Sequence, residues 1–312
     1  FVAGISSWFL LKKREKAFAI DSIKIASMVG IVGILISIWT GDGAAHQVAQ
    51  KQPMKLAAME GLYEGGNGVD LVGFGVLTPG KQYNDDKAPF LFSIPIPNML
   101  SFLAVRDLNG YVPGINNLIA GGYDTPQGKA LSIEEKMAKG KIAFEALAQY
   151  KEAKRTGDAG LQTESEALLR ENMPYFGYGY FHSPADAIPN VPLVFYAFRV
   201  MVILGGYFLL LFILMAFFAY KKQFEKVKWL QWVSLFSIPL AYITSQAGWV
   251  VAEVGRQPWA IQDILPVSAA VSDIEASSVQ VTFFIFLALF TAFLIAEISI
   301  MVKQIKAGPA KK

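Results

Sequence analysis

The 312-residue chain is dominated by apolar side chains: 54% of its residues are hydrophobic, 17% are charged, and the net charge is +3. This composition is typical of a polytopic membrane protein and gives no support to a water-soluble enzyme. The absence of cysteine excludes disulfides, thiolate-ligated metals and covalent c-type haem attachment, and the basic residues flank apolar runs in a way that does not indicate nucleic-acid binding.

The apolar residues lie in runs whose lengths predict membrane spans. The first eleven residues, FVAGISSWFLL, are about half the length of a span, and no n-region or cleavage site marks them as a signal peptide. They predict the second half of a helix whose beginning precedes the sequence. Four uncharged runs, at 25–41, 200–219, 229–252 and 276–296, approach or exceed the roughly 20 residues that cross the hydrocarbon core and predict complete spans.

Clusters of lysine and arginine predict how the chain is oriented in the membrane. They lie at 12–16, 221–228 and 303–312, and all three fall on the same side of the predicted spans. Because basic residues near span ends stay in the cytoplasm, this side is predicted to be cytoplasmic. The long segment 42–193 and the short loop 253–275 are then extracytoplasmic.

The sequence therefore predicts an all-α polytopic membrane protein. Its transmembrane helix bundle has four complete spans plus a half span, with a large extracytoplasmic loop domain. The predicted domains are 1–41, with the half span, the basic turn and the first complete span; 42–193, the loop domain; and 194–312, a three-helix transmembrane region with a cytoplasmic C-terminus. His46 and His182 fall in the loop domain and are interpreted as ordinary loop residues.

The loop domain is too long to be a structureless connection, and its sequence predicts helices. Ser132 followed by Glu135 forms a capping-box pattern at the start of an amphipathic stretch that is predicted to end near Gly157. A second, shorter helix is predicted over 160–172. The stretch 61–130 is rich in glycine, proline, asparagine and aspartate, which predicts loops with short strands.

Charged residues at the end of one apolar run are candidates for a functional site, because burying a charge in lipid costs several kcal/mol unless it is partnered. If the helix continues to Pro258, then Trp249, Glu253 and Arg256 form one stripe on one face. One interpretation is an interfacial salt bridge. The other is a cofactor site, in which Glu253 binds a metal, Arg256 pairs with an anionic group and Trp249 packs against a flat ring.

Two further pairs of residues have both ordinary and functional interpretations. Met201 is ordinarily core filler and Arg199 ordinarily extends to the membrane interface, although a long arginine can also reach the edge of a large ligand. Lys55 and Glu60 follow the first complete span. By themselves they are interpreted as solvated loop charges, which contribute within about ±0.5 kcal/mol to stability.

These stretches together resemble subunit I of the cytochrome bd quinol oxidases, with the long form of the quinol-binding loop. The motifs that carry the resemblance are, in chain order, GD (41–42), QPMKLAAMEG (52–61), FYAFRVM (195–201), AGWVVAE (247–253) and GRQPW (255–259). The resemblance covers the whole chain and corresponds to the C-terminal part of that subunit. It implies a respiratory terminal oxidase of the bacterial cytoplasmic (inner) membrane. Such an enzyme oxidises quinol at the outer face, reduces dioxygen to water, and generates a proton gradient without pumping.

The resemblance also implies cofactors and residue roles. A low-spin haem b would have Met201 as an axial ligand of its iron, with Arg199 beside it. At the oxygen-reducing end, a high-spin haem b and haem d would have Glu253 at the high-spin iron, as a ligand or a proton relay, with Trp249 nearby. Arg256 matches the arginine of the GRQPW motif.

Lys55 and Glu60 match residues of the quinol-oxidising loop in the same family. The resemblance further implies a second subunit, small accessory subunits and four preceding spans with histidine ligands, so this fragment alone is predicted to be inactive. Two other classes stay open from the residues alone. One is a transporter or channel with an extracytoplasmic substrate-binding lid, and the other is a membrane anchor that displays a recognition domain.

Overall fold

The computed structural model describes residues 1–126 and 128–309. Gln127, within the predicted loop region, and Lys311 and Lys312, in the predicted C-terminal basic cluster, lie outside the described residues. The α-helices are α1 (Val2–Leu11), α2 (Lys16–Lys51), α3 (Pro53–Glu60), α4 (Met99–Val105), α5 (Ile115–Ala120), α6 (Ile133–Thr156), α7 (Ala159–Asn172), α8 (Val191–Tyr220), α9 (Lys228–Phe236), α10 (Ile238–Val254) and α11 (Ala276–Ala307). Short 3₁₀ segments cover Met173–Tyr180, Pro184–Ala187 and Phe224–Lys226.

The strands form short antiparallel pairs and no larger sheet among the described residues. They are β1 (Gly66–Asn67), β2 (Leu71–Leu77), β3 (Phe90–Ile96), β4 (Tyr111–Val112), β5 (Asp124–Thr125), β6 (Gly128–Lys129), β7 (Trp259–Ile261) and β8 (Leu265–Pro266). β1 pairs with β4, and β2, β5 and β7 pair with the strand that follows each of them. In β2–β3, Leu71 lies opposite Ile96 and Leu77 opposite Phe90. Helices therefore dominate the fold, as predicted.

Within the described residues, four stretches are long and apolar enough to cross a membrane: Lys16–Lys51, Pro184–Tyr220, Lys228–Val254 and Ala276–Ala307. The helical membrane fold is thus confirmed. The first predicted span, 25–41, is only part of α2, because the polar residues after position 41 continue the helix. His46 therefore lies in a helix and not in a loop. α2 ends where Pro53 disfavours a helical conformation at Gln52, whose φ and ψ are −138° and 57°.

The predicted span 229–252 contains a break. α9 ends at Phe236 and α10 begins at Ile238. Pro239 has no backbone N–H and cannot donate to the carbonyl four residues earlier, so the helical ladder is interrupted at this point. The backbone N–H of Ser237 still donates to Val233 O at 2.9 Å, and that of Ala241 donates to Ser237 O at 3.3 Å.

The connecting segment, residues 52–190, contains both helices predicted from its sequence. α6 starts with the expected capping box: the Ser132 hydroxyl accepts from Glu135 N at 3.1 Å, and the Glu135 carboxylate accepts from Ser132 N at 2.7 Å. It ends at Gly157, which has a left-handed φ of 80°. α7 follows, with Asp158 as its N-cap.

The chain divides into two compact units. Unit 1 contains residues 1–35, 205–242 and 271–312, and unit 2 contains residues 36–204 and 243–270. The core of unit 1 is an apolar cluster that includes Phe9, Ile23 and Met215. Among the described residues, unit 2 has three smaller apolar clusters.

Candidate functional site

All the candidate residues lie in unit 2, on three of its elements. They are Lys55 and Glu60 on α3, Arg199 and Met201 on α8, and Trp249, Glu253 and Arg256 at the end of α10 and in the turn after it. The two candidates on α3 contact different elements. Glu60 pairs with Arg199 of α8, whereas Lys55 contacts the end of α10.

Glu60 and Arg199 form a buried ion pair. Arg199 Nη2 lies 2.6 Å from Glu60 Oε2, and the two side chains are 7% and 4% exposed, respectively. Arg199 Nη1 also donates to Met59 O at 3.1 Å. The interpretation of Glu60 as a solvated loop charge is therefore wrong, and so is the interpretation of Arg199 as a side chain that extends to the interface.

Local sequence explains why Glu60 occupies this position. Pro53 occupies the first turn of α3, where its missing N–H costs no helical bond, and Gly61 ends the helix with a left-handed φ of 62°.

Burial raises the pKa of Glu60, while the positive charge and the hydrogen bond of Arg199 oppose that shift. The Arg199 guanidinium carbon lies 4.4 Å from the centroid of the Phe195 ring, so one face of the cation packs on an aromatic surface.

Lys55 is half-buried and contacts the last turn of α10. Its Nζ donates to Ala252 O at 3.3 Å, which places a positive charge at the negative end of the helix dipole. Burial lowers the pKa of Lys55, the charge of Arg256 lowers it further, and the charge of Glu253 acts in the opposite direction. Lys55 is thus close to the charges of Glu253, in the last turn of α10, and of Arg256, in the turn after it.

α10 ends at Val254, so the condition for a single stripe, a helix that continues to Pro258, is not met. Arg256 lies in the following turn, yet its Nη2 still reaches Glu253 Oε2 at 2.5 Å. The two side chains are 41% and 48% exposed, a setting in which an ion pair adds little stability by itself. Trp249 lies one helical turn before Glu253 and is 62% exposed, leaving its ring available to pack against another group.

Met201 is half-buried and faces α10. Its sulfur would be 3.4 Å from a Cβ atom placed on Gly248, so the thioether lies against the backbone of that helix. Gly248 is a position that sequence reasoning missed. The signal for it was the glycine in AGWVVAE, because small residues let membrane helices approach closely.

Trp259 is a second position that sequence reasoning missed, although it belongs to the GRQPW motif. It is 4% exposed and lies in a cluster with Ile133, Tyr178 and Phe181. Its ring centroid is 4.9 Å from that of Tyr178 and 5.1 Å from that of Phe181. The motif therefore joins the half-exposed Arg256 to Trp259, an aromatic residue that packs on the connecting segment.

Residues 1–309 match the family described as cytochrome bd terminal oxidase subunit I. The chain belongs to this family. It is 33% identical over 312 residues to cytochrome bd-II ubiquinol oxidase subunit 1 of Escherichia coli (strain K12), a match that covers 99% of this chain and 59% of the relative. It is 25% identical over 310 residues to cytochrome bd ubiquinol oxidase subunit 1 of Bacillus subtilis (strain 168), covering 99% and 53%.

A solved bd oxidase structure from Geobacillus thermodenitrificans has the same fold as this cytochrome bd subunit I. The TM-score is 0.63 at 21% sequence identity, and the match covers 99% of this chain and 54% of the solved chain. The chain spans about half the length of the curated relatives it matches. The match to an oxidase subunit gives no support to the transporter or channel alternative.

The family uses haem, and the side chains of unit 2 fit that group. Haem presents an iron that takes axial ligands, and propionates that pair with guanidinium donors. Arg199 Nε and Arg256 Nε are buried without a hydrogen-bond partner within residues 1–126 and 128–309. Met201 offers a thioether. His46 is engaged elsewhere, since its Nδ1 lies 2.8 Å from Ala104 O and its Nε2 lies 2.9 Å from Gln50 Nε2.

Proposed function

We propose that this chain forms the haem-binding and quinol-oxidising part of subunit I of a respiratory terminal oxidase. The complete enzyme oxidises quinol at the outer face of the bacterial cytoplasmic membrane and reduces dioxygen to water. It generates a proton gradient without pumping, because protons are released from quinol on one side and taken up for water on the other. The observation that carries this proposal is Arg199, which joins Glu60 of the quinol-oxidising motif to the helix that bears Met201.

In addition to Arg199, four side chains are proposed to hold the cofactors. Met201 would hold a low-spin haem b through its thioether sulfur, and Glu253 would hold the high-spin haem b or supply it with a proton, with Trp249 packing nearby. Arg256 would pair with a propionate. The haems, including haem d, supply one-electron transfer and dioxygen binding. A neutral thioether favours ferrous iron, so Met201 raises the affinity for an electron, whereas the positive charge of Arg199 is offset by its ion pair with Glu60.

Glu60 and Lys55 are proposed to act on quinol. Oxidation of one quinol to quinone releases two electrons and two protons, and Glu60 would accept one of these protons. Burial makes its carboxylate more basic, while Arg199 keeps the ionised form available. Lys55 would donate a hydrogen bond to a quinone oxygen. The two residues are five positions apart on α3 and face different neighbours, so the headgroup must span them or Lys55 must release Ala252 O.

The membrane topology and the partners also belong to this proposal. Residues 42–193 form the extracytoplasmic quinol-binding loop domain, the 253–275 loop lies on the same side, and the regions 1–41 and 194–312 cross the lipid bilayer, the latter with a cytoplasmic C-terminus. Subunit II and small accessory subunits complete the oxidase with membrane quinol and dioxygen as substrates. The basic clusters support this orientation.

The test is an optical spectrum of the complete, purified oxidase. Reduced-minus-oxidised bands of b and d haems, together with oxygen uptake that depends on quinol, are expected. A haem-free preparation that is fully assembled would contradict the proposal, and would leave a membrane anchor as the remaining interpretation.

Lys55→Ala is expected to slow quinol oxidation by about 10- to 100-fold, the effect of losing a hydrogen bond from a charged donor in the transition state. Haem spectra should be unchanged after chemical reduction. Oxygen uptake with quinol, compared with reduction by dithionite in the same preparation, measures both. Lys51→Ala, at the exposed end of α2, is the matched control. Wild-type quinol kinetics in Lys55→Ala would remove Lys55 from the site.

Glu253→Gln is expected to perturb the high-spin haem and oxygen reduction while leaving the low-spin haem reducible by quinol. Arg256→Ala should weaken haem retention more than it alters the ligand field, because its proposed partner is a propionate. Haem content after gel filtration and the spectrum of each haem are the measurements. Normal values in both variants would mean that Glu253 and Arg256 form only a surface salt bridge.

A further inference from the structure

The turn that carries Arg256 is followed by a small hairpin that contacts the connecting segment. Strands β7 and β8 form this hairpin, residues 259–266, directly after the GRQPW turn. The backbone N–H of Trp259 donates to Arg256 O at 3.0 Å, and that of Val267 donates to Pro258 O at 2.7 Å. The position of the hairpin therefore fixes the backbone of the turn.

Asp263, at the tip of the hairpin, docks on the 3₁₀ segment Met173–Tyr180. The Tyr178 hydroxyl donates to Asp263 Oδ1 at 2.6 Å, and the backbone N–H of Gly177 donates to Asp263 O at 2.9 Å. Asp263 has a left-handed φ of 63°, so the tip adopts a defined conformation that these two bonds hold. Burial and the neighbouring Asp263 raise the pKa of Tyr178, which keeps its hydroxyl a donor.

Packing around Gly177 leaves no room for a side chain. A Cβ atom placed there would be 2.5 Å from Trp259 Cζ3 and 2.6 Å from Asp263 O. On its other side the 3₁₀ segment packs on α6, where the Phe144 ring centroid is 4.7 Å from that of Phe176 and 4.6 Å from that of Tyr180. The 3₁₀ segment on which the hairpin docks is thus held against α6 by packed aromatic rings.

We propose that the 3₁₀ segment and hairpin 259–266 form a clamp that positions Arg256 for the anionic group of a haem, with Tyr178 and Asp263 as positioning residues. This inference rests on the proposed function. It gives the second half of the connecting segment a role in the haem site, in addition to any role in binding quinol. The side chain of Arg256 supports it, because its Nε is buried without a partner among the described residues while its backbone is held from the hairpin side.

The test uses the complete oxidase with Tyr178→Phe and Gly177→Ala. Tyr178→Phe removes only the hydroxyl. Gly177→Ala adds a methyl group that clashes with the hairpin and displaces it from the 3₁₀ segment. We expect the high-spin haem to dissociate about tenfold faster in Tyr178→Phe, the scale of one strong hydrogen bond, and faster still in Gly177→Ala. The low-spin haem band should be unchanged. Tyr180→Phe is the matched control, because Tyr180 contacts Phe144 through its ring and its side chain is 39% exposed.

Arg256→Ala, alone and combined with Tyr178→Phe, distinguishes failure of the clamp from failure of the proposed role of Arg256 in the haem site. If the clamp acts through Arg256, the double variant loses haem no faster than Arg256→Ala alone. Additive losses, or a normal haem off-rate in Tyr178→Phe while Arg256→Ala is impaired, would overturn the clamp and leave the proposed function intact. A normal off-rate in Arg256→Ala would instead remove Arg256 from the haem site. If Gly177→Ala fails to assemble, Tyr178→Phe alone decides the result.

Discussion

Met201→Ala in the complete oxidase is expected to convert the six-coordinate low-spin haem to a high-spin or vacant state. The methyl side chain of alanine cannot reach or ligate iron, so one axial position is lost. The fold should survive, because Met201 is only half-buried against Gly248 and its truncation costs less than the 2–5 kcal/mol typical of a buried methionine. The low-spin band in the reduced-minus-oxidised spectrum is the measurement.

Met215→Ala is the control for this experiment. Met215 lies on the same helix but is fully buried in the core of unit 1, so its truncation should lower stability and leave the low-spin spectrum intact. An unchanged low-spin spectrum in Met201→Ala would show that Met201 fills space and does not bind iron.

Glu60→Ala is expected to destabilise the assembled protein by about 3–5 kcal/mol, because it leaves the Arg199 guanidinium buried without its partner. Glu60→Gln should cost much less, since its amide oxygen still accepts from Arg199. The comparison also depends on pH. Burial raises the pKa of Glu60 in the folded protein, so the stability that Glu60 contributes is present below its unfolded pKa and is lost as pH rises through the folded pKa. Glu60→Gln should abolish this dependence.

Thermal unfolding of the detergent-solubilised complex across pH measures both effects. Glu145→Ala, at an exposed position of α6, is the control and should change stability by no more than about 0.5 kcal/mol. Replacing Glu60 and Arg199 together with leucine and methionine should recover most of the loss, because a buried ion pair often contributes little beyond well-packed apolar residues. Equal stability of Glu60→Ala and wild type would contradict the buried pair.

Features set by neighbouring residues were predictable from the sequence. Apolar runs of span length define the four membrane helices, because the bilayer requires about 20 apolar residues irrespective of the rest of the fold. The start of α6 was predictable for a similar reason: Ser132 and Glu135 satisfy each other's backbone N–H groups within a single turn. The order of short motifs along the chain also identified the family.

Features set by long-range contacts were not predictable. Glu60 was interpreted as a solvated charge because it follows the end of a predicted span, whereas its partner Arg199 is 139 positions away. Arg256 would share a helix face with Glu253 only if the helix continued to Pro258, whereas α10 stops at Val254 and the turn is held from the hairpin side. In the first case a buried charge finds its partner in another element, and in the second a hairpin docks on the connecting segment, so only the tertiary structure decides these positions. The free energy of burying a charge depends on that partner, and no local pattern of residues encodes it.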